Sequence, residues 1–229
     1  MNEMTLNEAL SLVMGRGLDS KPQLGFSSEV NDRLRLNGIH AKQAANAASN
    51  SPAGIELNRR KGTLLNTIGR STTNTKKLFW LRAASSDFVN AYAPHSACKV
   101  GCNHCCHIPI VIAETEAVSI GKAIGLKPEN LKLEPGSAKI SDLEKRFEGY
   151  EKPCPFLKDG ACSIYDNRPL ACRNHINMDA DDLLCRLNGS GQSVPVPMAD
   201  NRYLSFEYAI SFEKGKWADI RDWFPKRNR

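Results

Sequence analysis

Apolar residues recur at helical spacing in stretch after stretch of this chain. Leu6, Leu10, Val13 and Met14 share one face of a predicted helix within residues 1–20, which Gly15-Arg-Gly17 ends. Leu78, Leu81, Phe88 and Tyr92 predict a longer helix from Thr75 to Tyr92, stopped by Pro94. The stretch Glu114 to Ile124 reads as a helix with acids in its first turn and Gly125 past its end. Ile140, Leu143 and Phe147 fall on one face of another, and Asp179 to Asn188 reads as a further helix with acids at its start. A last helix, Asn201 to Phe212, is expected to bring Tyr203, Phe206 and Ile210 to the core, followed by Trp217 and Trp223.

Two kinds of stretch break this pattern. Residues 20–74 are rich in Asn, Ser, Ala and Gly, with a helical piece at Ala44-Ala-Asn-Ala-Ala48 and a break at Ser49-Asn-Ser-Pro-Ala-Gly54, so low packing density and partial mobility are expected there. Ile108-Pro-Ile-Val-Ile-Ala113 is a short apolar run whose proline suits an edge strand or an extended approach to the next helix. Lys158-Asp-Gly160 is a turn signal that folds Cys154 and Cys162 towards one another across a hairpin. The predicted fold is therefore mainly α, with an irregular cysteine-rich metal-binding core and a short β-hairpin surrounded by helices. Three parts are expected: a helical, partly mobile arm over residues 1–74, a cysteine-cluster domain over 75–188, and a C-terminal extension over 189–229 packing on the core.

With 229 residues and 41% apolar content the chain can bury a full core without disulfide staples. Its first residues, Met1-Asn-Glu-Met, do not resemble a secretory signal, and no membrane span is visible. A cytoplasmic location is expected, where eight cysteines read as metal ligands or redox thiols. Net charge is +6, with basic clusters at Arg59-Arg-Lys61 and Lys226-Arg-Asn-Arg229. Such clusters are usually solvated surface, and the aromatics that interleave a single-strand binding face are missing, so a nucleic-acid partner is not expected.

The chemistry lies in Cys98-Lys-Val-Gly-Cys102-Asn-His-Cys105-Cys106-His107, which packs four of the eight cysteines into nine residues. Thiols this dense pair as disulfides or share a metal, and Cys102-x-x-Cys105 is a spacing that lets two sulfurs converge on one ion. The vicinal pair Cys105-Cys106 leaves one of the two for a second iron of the same cluster, another site, or the core. Cys154, Cys162 and Cys172 form a second group that can complete the coordination. Arg168 and Arg173 could offset thiolate charge, although surface ion pairing is commoner. His104 and His107 could each replace a sulfur but read more often as loop residues, Glu116 reads more often as a partner of its helix dipole than as a neighbour of the metal, and Cys185 reads more often as core than as ligand.

Read together, Cys98, Cys102, Cys105 and Cys106, then Cys154-Pro-Phe-Leu157, Cys162-Ser-Ile-Tyr165 and Arg168-Pro-Leu-Ala-Cys172-Arg173, resemble the bacterial YkgJ-type cysteine-cluster proteins, a CxxCxxCC zinc- or iron-chelating family. The resemblance covers roughly residues 95–175, and the glutamate typical of the family looks like Glu116. It implies metal chelation by those seven cysteines. A more distant resemblance to flagellin lysine methylases implies protein methylation with S-adenosylmethionine, for which no separate methyl-donor motif is visible.

Two cofactors compete. Seven thiolates and few histidines suit an iron–sulfur cluster, most simply 4Fe-4S, and Cys98-x-x-x-Cys102-x-x-Cys105 has the spacing of radical S-adenosylmethionine enzymes, although too little chain follows for their barrel. A structural zinc site in an interaction scaffold would need only four of these ligands. A hydrolase is not supported, because nothing in the sequence places a base such as His175 beside a nucleophile.

Overall fold

The computed structural model describes residues 4–5, 26–139, 153–187 and 194–225. Leu6, Leu10, Val13 and Met14 of the first predicted helix, the helix around Ile140, Leu143 and Phe147, and the basic tail Lys226 to Arg229 lie outside the described residues.

The described chain is mainly helical. Helix α1 runs Ser28–Asn50, α2 Pro52–Arg70 and α3 Asn74–Tyr92. Each begins on a hydroxyl cap: the side chains of Ser27, Ser51 and Thr73 accept from the N–H groups of Val30, Gly54 and Lys76, three residues on. Pro52 fits the first turn of α2, where its missing N–H costs nothing. Gly54 is required at this joint, because a Cβ there would stand 2.1 Å from the carbonyl oxygen of Ala48. The break expected at Ser49 to Gly54 is thus one residue between two long helices. The two helices differ in packing: α1 buries only Val30 and Ala48 of its 23 residues and leaves Leu36 and Ile39 exposed, in keeping with the low packing density expected there. Helix α2 instead buries Leu57, Leu64 and Ile68 along one stripe, Leu57 and Leu64 beside Ala84 and Phe88 of α3, and Ile68 beside Leu78 and Leu81. The cluster Arg59-Arg-Lys61 is consumed locally, by Glu56, by Asp87 and by the ring of Tyr203.

A small sheet follows. Its strands are β1 (Met4–Thr5), β2 (Val111–Ala113), β3 (Ser137–Lys139) and β6 (Trp217–Asp219), in the order β1-β3-β6-β2. β2 pairs antiparallel with β6, Ile112 opposite Ala218, and β3 pairs with β6 in parallel, Ala138 opposite Trp217. Pro109 precedes β2, which is an edge strand. Helix α4 (Glu114–Ile124) leaves β2 directly and ends on Gly125 in the left-handed region, φ 71°. The hairpin signalled by Lys158-Asp-Gly forms as β4 (Leu157–Lys158) and β5 (Ala161–Cys162), with Asp159 and Gly160 both at positive φ.

Among the described residues four further helices follow: α5 (Leu170–Arg173), α6 (Leu183–Arg186), α7 (Arg202–Ser211) and α8 (Ile220–Trp223). Two expectations fail here. The helix foreseen over Asp179 to Asn188 is only the four residues of α6, because Asp179 and Asp181 instead bind Arg33 of α1, Asp181 with both oxygens at 2.6 and 2.9 Å. Helix α7 buries Leu204, Tyr208 and Ala209 and turns Phe206 and Ile210 outward, at 62% and 47% exposure. Trp217 is buried among Ile68, Leu78, Leu81 and Tyr208, and Trp223 among Ile112, Ala117, Ile120 and Ala218, so both tryptophans close the core.

Candidate metal centre

Helix α3 ends in a single 3-10 turn, Ala93–His95, which leads into the first cysteine loop. Gly101 turns that loop at φ 88°, a conformation open to glycine, and His104 to His107 form a second 3-10 turn that carries Cys105 and Cys106. Main-chain bonds join the loop to the second cysteine group: Cys154 N–H donates to the carbonyl of Cys106 at 2.7 Å. Cys154, Cys162 and Cys172 pack against one apolar cluster containing Phe156, Ile164 and Trp223.

Residues far along the chain hold this arrangement. The Arg221 guanidinium donates to the carbonyls of Cys106 and Ile108, each at 3.1 Å, and is itself held by the Asp219 carboxylate. Asp219 is 1% exposed and also accepts from the N–H of Ile110. Glu116 is fully buried: its carboxylate accepts from Leu170 N–H at the start of α5 and from Tyr208 Oη, and stands 3.9 Å from Arg82. Glu116 is therefore no exposed dipole partner; it fixes the turn that presents Cys172. None of Asp219, Arg221 or Tyr208 carries a local sequence signal for this role.

All eight cysteines are free thiols. Burial pushes the thiols of Cys102, Cys154 and Cys172 above their ordinary range, and neighbouring sulfurs push the same way. Within the vicinal pair, a hydrogen bond from Cys106 holds Cys105 below the ordinary thiol range, helped by the charge of Arg168, while Cys106 is raised by the same bond. Around Glu116, the Nε atoms of Arg82 and Arg173 are buried without a hydrogen-bond partner, as is that of Arg168 beside Cys105.

Among the described residues no three His, Cys, Asp or Glu side chains stand close enough together, as oriented, to hold a metal ion. The donor set nevertheless fits one. Buried thiols that raise one another's pKa resist ionising alone, and a cation that binds them as thiolates relieves both the burial and the repulsion. The orphaned guanidinium N–H groups are suited to face the negative charge that four thiolates leave on a dication.

His104 is engaged elsewhere. Nε2 of His104 lies 3.4 Å from Asp182 Oδ2, and this pair lines a cavity of about 420 Å³ together with Lys99, Gly101, Cys102 and Arg186. His107 ends the 3-10 turn. Burial holds the ring of His175 down to about 4, so it is neutral. Cys185 is buried as expected, yet its sulfur is not among apolar groups alone: it accepts from Asn177 Nδ2 at 3.3 Å.

Among the described residues no helix is long and apolar enough to cross a membrane. No curated protein and no solved structure matches the chain. Residues 97–189, less than half of the chain but including all eight cysteines, match the model of the CxxCxxCC family, described as "Putative zinc- or iron-chelating domain", which suggests a zinc- or iron-chelating function.

Proposed function

We propose that this chain is a metal-chelating protein in which thiolates of the first loop and of the second cysteine group together hold an iron–sulfur cluster. The observation that carries this reading is the junction of the two groups, where Cys154 N–H donates to the Cys106 carbonyl and both Cys154 and Cys172 lie within electrostatic reach of Cys106. Thiols outnumber what one zinc can use, and one imidazole of the loop, His104, is paired with Asp182. Iron–sulfur clusters are held by thiolates and tuned by hydrogen bonds to the sulfurs and by nearby charge, which Arg168 and Arg221 supply beside Cys105 and Cys154. Bound there, the cluster would supply one-electron chemistry. This chain's residues would position its ligands and balance its charge.

Zinc is the second reading. The packing of Cys154, Cys162 and Cys172 against an apolar cluster is what a closed structural site needs, with the metal fixing the fold of an interaction scaffold. The cysteine pattern's likeness to flagellin lysine methylases makes S-adenosylmethionine the first small molecule to try once the metal is known, and a protein the first class of substrate.

The two readings separate on protein purified without oxygen. Iron with matching acid-labile sulfide and a broad brown absorption supports the cluster. Colourless protein with zinc and no sulfide overturns it.

A further inference from the structure

The cysteines do not form one crowd. Asn177 stands between Cys98 and Cys185: its main-chain N–H points at Cys98 Sγ, 3.4 Å away, and its side-chain amide at Cys185 Sγ, 3.3 Å away. Asn177 is itself fixed, because its carbonyl accepts from Ala97 N–H and its amide also donates to the Asp181 carbonyl. Cys102 adjoins the same place, since it lines one cavity with Asp182, which heads the helix carrying Cys185 and meets His104 across the gap. The 3-10 turn His104–His107, which carries Cys105, packs against the same helix, and Cys105 also neighbours Cys172 on the other side.

A second gathering lies on the other side of the vicinal pair. Cys154, Cys162 and Cys172 share the apolar cluster under the hairpin, and neither Cys98, Cys102 nor Cys185 belongs to it. Cys106 joins that side through its carbonyl, which takes the N–H of Cys154, and through Arg221. Cys105 and Cys106 touch by a hydrogen bond, so the two gatherings meet at this pair.

We infer that the eight cysteines make two four-thiolate metal centres, Cys98, Cys102, Cys105 and Cys185 in one and Cys106, Cys154, Cys162 and Cys172 in the other, with the vicinal pair divided between them. The inference rests on the reading that the chain chelates a metal. Four thiolates saturate a tetrahedral zinc and equally suffice for a 4Fe-4S cluster, so the arithmetic of eight holds for either. It also removes the difficulty of a vicinal pair serving one ion, and it gives Cys185 a partner set. The first centre faces the cavity beside Cys102, and Cys98 is exposed. The second rests on the apolar cluster through Cys154, Cys162 and Cys172.

Metal content per chain, measured on the full-length protein and on single variants, tests this. Cys185→Ser and Cys98→Ser should each lose one centre's metal, about half of the total if both hold the same species, and keep the other. Cys162→Ser should lose the complementary part. Cys98 is exposed, so its variant reports on the first centre without disturbing the core, and circular dichroism checks that each variant is folded. Full metal content in both Cys98→Ser and Cys185→Ser, or complete loss in Cys98→Ser with the fold intact, overturns two centres and leaves chelation standing. Wild-type protein that takes up no metal overturns both.

Discussion

The hydroxyl of Tyr208 donates to Glu116 Oε2 at 2.6 Å, joining a helix near the C-terminus to the first turn of the helix that follows the cysteine loop. The same hydroxyl accepts from the N–H of Ala113, and the other oxygen of Glu116 accepts from the N–H of Leu170. One buried carboxylate thereby ties α7, the end of β2 and the turn into Cys172. Removing it leaves Leu170 N–H and Tyr208 Oη without their acceptor. Glu116→Ala should cost about 2–4 kcal/mol, and Tyr208→Phe about 1–3 kcal/mol, in denaturant unfolding.

Burial raises the pKa of Glu116, against the hydrogen bonds from Tyr208 and Leu170 and the charge of Arg82. The folded state therefore holds this proton more tightly than the unfolded chain. Its contribution to stability is complete below the ordinary glutamate range and is lost as pH rises through the raised value. The stability of wild type relative to Glu116→Gln should fall as pH is raised across that window. A difference that grows with pH would contradict the assignment.

His175 works in the opposite sense. Its folded pKa of about 4 lies below the ordinary 6.5, so its contribution is present above 6.5 and is lost as pH falls towards 4. Wild type should lose thermal stability more steeply than His175→Asn between these values, as followed by Tm in a series of buffers.

Arg221 holds the carbonyls on either side of His107. Arg221→Gln should leave metal content unchanged but speed metal loss to an added chelator several-fold, because charged hydrogen bonds worth about 1.5–3 kcal/mol no longer fix the loop. Unchanged release rates would show that the loop is held by its other contacts.

Local chemistry made part of this legible from sequence. The turn at Asp159 and Gly160, the stop at Pro94 and the cap at Gly125 each depend on residues a few positions away, and each stands where expected. Helix α7 shows why the rest was not. Tyr203, Phe206 and Ile210 make one apolar stripe, and Leu204, Tyr208 and Ala209 make another. Nothing within ten residues chooses between them. The choice is made by Glu116 and the sheet, which offer Tyr208 an acceptor and leave Phe206 outside. Cys185 is the same case: a buried thiol on a short helix looks like core until Asn177, eight residues earlier, is seen to link it to Cys98.

The joint at Gly54 supplies a control for the helical arm. Gly54→Ala pushes a Cβ into the Ala48 carbonyl and should destabilise the α1–α2 junction by about 2 kcal/mol or more without changing metal content. Loss of metal in that variant would tie the arm to the centre.

The central claim, that the thiols bind metal as thiolates, is tested most directly at Cys98, which is exposed and so gains no protection from burial. Anaerobic protein should be alkylated with iodoacetamide before and after metal removal by a chelator, and each cysteine followed by mass spectrometry. Cys98 and Cys102 should resist until the metal is removed and then react. Full reaction of Cys98 in the untreated, metal-loaded protein would contradict the account.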